Sequence, residues 1–160
     1  MSEWLSTRRQ RVEAHLTDHR VLCGEIHLQM LARHHSGPET TTDFLSREEP
    51  FFALSLEHEQ PVFVAKAQVL YLGLPSQQVI DDPDRAVAAQ RIELEIELSD
   101  GSRLEGIVMM ELPPDRPRAL DFLNSAASFF PLWTADAVRL VNRNHIRAAS
   151  PLVDIQRGTA

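Results

Sequence analysis

Histidine and cysteine are the residue types that first suggest chemistry in this chain, which carries seven histidines and a single cysteine, Cys23. In VEAHLTDHRVLCGEIHL, residues 12–28, apolar and polar residues alternate on either side of a turn, as in a half-buried hairpin. Side chains two apart share one face of a strand, so Glu13 stands with His15, and Cys23 with Glu25 and His27. A short turn that sets His15 opposite Cys23 gathers all five on the polar side. Imidazole and thiolate beside carboxylates make a zinc donor set, so His15, Cys23 and His27 are candidate metal ligands. The same residues also supply the solvated face that any half-buried strand needs. The adjacent histidines of RHHS, residues 33–36, read as loop, because neighbours do not both reach one ion. His145 has no visible partner for general-base work.

Other chemistries lack their signatures. The chain contains no G-x-S-x-G elbow, P-loop, H-E-x-x-H or dinucleotide fingerprint. Asp81, Asp82 and Asp84 form an acidic group inside a Pro- and Gln-rich stretch and read as solvated linker charge. A lone cysteine permits neither an internal disulfide nor a C-x-x-C motif. The expectation is a protein without enzymatic activity and without a cofactor.

Composition sets the class. With 43% hydrophobic and 24% charged residues over 160 positions, the chain has the balance of a globular protein. Its longest apolar run, IVMMELPP at 107–114, is broken by Glu111 and two prolines, far short of the roughly 20 residues a membrane helix requires. The N-terminal MSEWLSTRRQRVEAHL lacks the apolar core of a secretory signal, so a cytoplasmic location is expected, without membrane insertion. A formal charge of −7 argues against nucleic acid as a partner.

The elements that must position these residues come twice. DFLSREEPFF at 43–52 and DFLNSAASFF at 121–130 keep Asp, Phe, Leu and a Phe-Phe pair at the same spacing. Upstream, 12–28 aligns with 94–110 without a gap, pairing Leu16 with Leu98, Asp18 with Asp100 and Gly24 with Gly106; downstream, 62–72 aligns with 139–149. Shared order and spacing read as a tandem duplication. Residues 1–72 form the first repeat with an N-terminal segment, 73–90 a connector, 91–150 the second repeat and 151–160 a tail. DPDRAVAAQ within the connector is expected to be a short helix capped by Asp82 or Asp84.

Within the second repeat, Ile92, Leu94, Ile96 and Leu98 alternate with Glu93, Glu95 and Glu97, which predicts a half-buried strand. A loop of Asp100, Gly101 and Ser102 then sets Leu98 opposite Leu104 and Leu94 opposite Val108. FFPLWTADAVRLVNRNHIRAA reads as two strands around a turn near TADA, with Pro131 at an edge or bulge. Adjacent Phe residues in a strand point to opposite faces, so Phe51 with Phe52, and Phe129 with Phe130, need cover on both sides of the sheet. That need suggests packing between the repeats. Trp4 and Leu5 are too apolar to stand exposed without reason, so the N-terminal segment is expected either to cover an edge of its own repeat or to dock into a partner.

The second repeat resembles a divergent Sm-like domain over residues 91–149, in the turn of SDGSRLEG, the segment DFLN and the segment VNRNHI. It is also similar to short bacterial domains with the DFLN and NRNHI features. The resemblance implies a small antiparallel β-barrel with a short N-terminal helix across its open sheet, hence a mainly β protein of two tandem barrels of the Sm-like or SH3-like kind. It further implies that Asp121 and Asn124 face a bound base with Arg143 stacked over it, a sound way to hold single-stranded RNA. In the first repeat Ser46 and Lys66 stand where the second has Asn124 and Arg143. Asp and Asn at DFLN are equally good turn and helix-cap residues. The expected function is therefore a non-catalytic interaction or assembly module that meets a protein partner, self-association being another way to cover its edges. An RNA-binding Sm-like protein is the alternative, and metal binding at the His15/Cys23 face a second one.

Overall fold

The computed structural model describes residues 7–30, 37–57, 60–74, 90–110, 119–135 and 137–152. Trp4, the RHHS loop, residues 82–89 of the expected connector helix and the tail from 153 onward lie outside the described residues, and Gln90, expected to end that helix, opens a strand instead. The first half runs β1 (Thr7–Leu16), β2 (Val21–Gln29), α1 (Thr41–Leu45), β3 (Phe51–Leu54), β4 (Val62–Ala65), a 3-10 turn (Lys66–Gln68) and β5 (Val69–Leu74). The second runs β6 (Gln90–Leu98), β7 (Arg103–Met110), α2 (Ala119–Ser125), β8 (Phe129–Trp133), β9 (Val138–Asn142), a 3-10 turn (Arg143–His145) and β10 (Ile146–Pro151). The order of elements is the same in both halves.

Alternation is why the long strands form and which way they face. Val12, Ala14 and Leu16 of β1 are buried while Glu13 between them is exposed and His15 half-buried; Ile92, Leu94, Ile96 and Leu98 of β6 repeat the pattern. β5 breaks it, since all six of its residues are buried. Its run VLYLGL is apolar throughout, the mark of a strand covered on both faces.

The expected pair of closed barrels is not what forms. The strands make one antiparallel eight-stranded sheet in the order β10-β6-β7-β8-β9-β5-β1-β2, and a separate β3-β4 ribbon. The ribbon is tied to β2 by a single bridge between Glu25 and Ser55. Neither half closes on itself because its edge hydrogen bonds go to the other half. β5 pairs with β9, setting Leu72 against Leu140 and Tyr71 against Val141. Two cores result, and each borrows across that seam. Phe129, Val138 and Leu140 of the second half complete the first core, while Leu70 and Tyr71 of the first half enter the second. A fully buried Leu stabilises by roughly 1.5–3 kcal/mol relative to an exposed one, so this exchange binds the halves firmly.

Both long hairpins turn one residue earlier than the sequence suggests, which shifts the cross-strand pairing by two. Leu98 faces Ser102 across a loop of Ser99, Asp100 and Gly101, so Ile96 opposes Leu104 and Leu94 opposes Gly106. In the first hairpin Glu13, not His15, stands opposite Cys23, and His15 faces Val21. The turn chemistry explains the choice. The Asp100 and Asp18 carboxylates accept the N–H of Ser102 and Arg20, and the last loop residue takes positive φ, 90° at Gly101 and 72° at His19. A shift of two preserves every side chain's face, so the apolar residues remain inside although their partners change.

Gly24 and Gly106 mark where β2 and β7 bend against the next strand. A Cβ on Gly24 would lie 2.5 Å from the Ser55 carbonyl oxygen, and one on Gly106 2.6 Å from that of Trp133. Close backbone approach, not positive φ, is why glycine is needed at both. Pro131 falls where β8 has nearly parted from β7, which it meets only at the Ile107–Trp133 pair, a stretch in which a proline is tolerated.

Candidate functional site

The two DFL…FF segments fold alike. Their Asp and first Phe lie in α1 or α2, and the Phe-Phe pair opens β3 or β8. Phe44 packs edge-on against Phe52 with centroids 5.6 Å apart, and Phe122 against Phe130 at 5.1 Å. The conserved spacing is therefore the spacing of an aromatic pair that pins each helix to its strand. Asp43 makes a capping box with Thr40, its carboxylate accepting the Thr40 N–H at 2.9 Å.

Between the helices and the 3-10 turns runs a groove of about 470 Å³, lined from the first half by Arg47, Glu49 and Lys66, and from the second by Ser128, Asn142 and Asn144. Its polar groups are largely committed to the fold. Arg47 holds the buried Glu39 carboxylate through two bonds, and Glu39 also accepts the Gln29 N–H. Lys66 donates to the Arg47 carbonyl oxygen at 2.7 Å; burial pushes its ammonium below the ordinary lysine value, with Arg47 adding to the effect and Glu49 opposing it. Buried Asn142 crosses the seam. Its Nδ2 donates to the Val69 and Lys66 carbonyl oxygens, and its Oδ1 accepts the Asn144 N–H. His145 likewise reaches the Ala67 carbonyl oxygen of the first half.

Of the residues in the RNA-binding reading, Asp121 and Asn124 lie on α2 and Arg143 opens the 3-10 turn after β9. Arg143 donates to the Ala126 carbonyl oxygen just beyond α2, Asn124 is exposed, and no hydrogen bond or ion pair joins Asp121, Asn124 and Arg143 among the described residues. Arg103 turns onto Glu95 and Glu97, and Arg147 onto Glu97 and the Ser99 carbonyl oxygen.

The metal set is dispersed. His15 stacks on Tyr71 with centroids 4.1 Å apart and lies 3.5 Å from Glu13, Cys23 is exposed, and His27 lies beside Ser55. Among the described residues no three His, Cys, Asp or Glu side chains gather into a metal-holding group. Burial holds the His15 imidazole below its ordinary value against the opposing pull of Glu13. The Tyr71 hydroxyl accepts from Arg139 at 3.0 Å, and burial raises its pKa although Arg139 pulls the other way.

The Phe-Phe pairs divide unequally. Phe52, Phe129 and Phe130 are all buried, with Phe129 in the first core and Phe130 in the second, so the expected two-sided cover holds for the second pair. Phe51 is 56% exposed and Phe63, on the adjoining β4, 72%. Leu120 on α2 is 67% exposed. Sequence reasoning singled out Phe51 but missed Phe63, Leu120, Asn142 and Glu39. The alignment of 62–72 with 139–149 offered one signal, since it pairs Phe63 with buried Leu140. Compared with known proteins, the chain matches no family model, no curated protein and no solved structure.

Proposed function

We propose that the chain is a non-catalytic assembly module made of two duplicated Sm-like repeats, which docks a protein partner at the β3-β4 end of the molecule. One observation carries this. Phe51 and Phe63 are open to solvent, whereas Phe129 and Leu140, their aligned counterparts, are 3% and 0% exposed and bury against the other half. A residue that is core in one repeat and surface in the other is a site with its partner removed. The duplication is supported by the repeated order of elements, the paired Phe contacts, and the glycines that meet a carbonyl at equivalent bends. The RNA reading is weakened by Arg103 and Arg147, both already paired with carboxylates.

The test is a Phe51→Ser/Phe63→Ser variant. Surface substitutions stay within about 0.5 kcal/mol each, so its thermal stability should match the parent's. A drop of the size expected for core phenylalanines would place the patch inside the fold and end the docking reading. Oligo-U titration at low salt should show no binding; affinity that falls by about 0.7 log unit per log unit of salt for each phosphate neutralised would move the function to RNA.

A further inference from the structure

We infer that the protein partner docking at Phe51 and Phe63 presents a basic amphipathic helix, whose apolar stripe covers the outer face of the β3-β4 ribbon and whose lysines or arginines meet carboxylates at its ends. The inference rests on the docking reading above and names the chemistry of the partner. Register and alternation define the face. Phe51 stands opposite Ala65 and Ala53 opposite Phe63, so these four point outward while Phe52, Leu54 and Val64 point into the first core. None of the four is polar. By contrast, the outward residues of β1 and β6 include Arg9, Arg11 and Glu13, and Glu93, Glu95 and Glu97. The two rings hold diagonal corners of the ribbon, and the alanines leave the other two low. Beside Phe51 opens a cavity of about 250 Å³ whose walls include Phe44, Phe52, Ala53 and His27, a socket for one large apolar side chain of the partner.

Charge at the ends of the ribbon selects the partner. Glu48 and Glu49 stand just before Phe51, and Glu57 just beyond the other end of β3, all three exposed. The carboxylates of Glu48 and Glu49 make no ion pair or hydrogen bond among the described residues. The neighbouring cations are committed elsewhere. Arg47 holds the Glu39 carboxylate and lies 4.6 Å over the Phe44 ring, and Lys66 donates to the Arg47 carbonyl oxygen. Carboxylates at a rim attract a partner's cations and repel phosphate, which disfavours nucleic acid and anionic lipid. A second copy brings the same carboxylates and a net charge of −7. Shape selects a helix. The apolar groups project from the face of the ribbon, roughly 7 Å apart along each strand, and side chains at i and i+4 of a helix, about 5–6 Å apart, meet that step. An extended segment laid on this face finds no backbone groups to bond, whereas a helix satisfies its own.

The experiment is fluorescence anisotropy on the full chain with two labelled helical model peptides. Both carry leucine at i, i+3, i+4 and i+7 spacing, one with lysine at the remaining positions and the other with glutamate. The lysine peptide should bind, more weakly as salt rises, and the glutamate peptide should not. Phe51→Ser/Phe63→Ser should weaken that binding at least about tenfold. Glu48→Lys/Glu49→Lys should weaken it too, while raising affinity for the glutamate peptide. Equal binding of both peptides, or of neither, would overturn the basic helix as occupant. So would attachment to phosphatidylglycerol vesicles, or a concentration-dependent mass of the parent, that Phe51→Ser/Phe63→Ser abolishes. Should neither peptide bind, a double-serine variant as stable as the parent leaves the docking surface to a protein of different chemistry, and a destabilised one removes both readings.

Discussion

The two halves of the molecule have the same elements in the same order, yet the aligned positions Phe129 and Leu140 are buried in the second while Phe51 and Phe63 are open in the first. Its Val64, Leu72 and Phe52 are closed over by Phe129 and Leu140 from beyond the seam, while Phe51 and Phe63 hold the matching positions in front of solvent. The difference teaches that burial here is set by which neighbour lies along the edge, not by the local sequence alone. A phenylalanine in FF is core when another half stands beside it and surface when none does.

The contrast breaks most sharply at the aligned phenylalanines. Phe129→Ala should cost about 3–5 kcal/mol, whereas Phe51→Ala should cost under about 0.5 kcal/mol in the isolated monomer, both read from denaturant unfolding. Equal costs would mean that the halves are covered alike. A smaller contrast lies in the hairpin loops, where Gly101 and His19 share the left-handed position. Gly101→Ala should destabilise by about 1–2 kcal/mol. His19→Gly should stabilise by a smaller amount, offset by the greater freedom of glycine in the unfolded chain and by the loss of the 3.5 Å contact from His19 to Asp100.

The smallest effect concerns pH. His15 is held below its ordinary value by burial, among Glu13, Tyr71, Arg139 and Asp100, while its aligned position in the second half is Glu97. A histidine with a lowered folded pKa is bound to more protons when unfolded, so its contribution is complete above about pH 6.5 and is lost as pH falls toward the lowered value. His15→Phe keeps a ring against Tyr71 and removes the proton. Its melting temperature should fall less than the parent's between pH 7 and pH 5; parallel curves would show that His15 does not titrate there.

Much of this architecture was legible in the residues. Alternation in RIELEIEL located β6 and its buried face, and the repeated DFL…FF spacing anticipated a shared local structure. Register was not legible, because a shift of two in a hairpin leaves each side chain on the same face and the apolar pattern equally satisfied. The outcome turned on Asp18 and Asp100 bonding to the backbone two residues on, which pattern alone does not reveal. Barrel closure failed as an expectation for a related reason. Matching repeats do not say whether an edge strand pairs within its own half or across, and the all-apolar VLYLGL of β5 was the sign that it is covered on both faces. The candidate site was the least legible part. Asn142 looks like one more polar residue at the end of an apolar strand until its amide is seen to bridge two carbonyl oxygens of the other half.

Amide hydrogen exchange read strand by strand tests most directly the contrast between the seam and the open edges. Amides of β5 and β9 should be strongly protected, because their pairing is within the chain. The outward amides of Phe63 and Ala149, on edges without a strand partner among the described residues, should exchange rapidly. Exchange in β5 and β9 as rapid as at those edges would contradict the account.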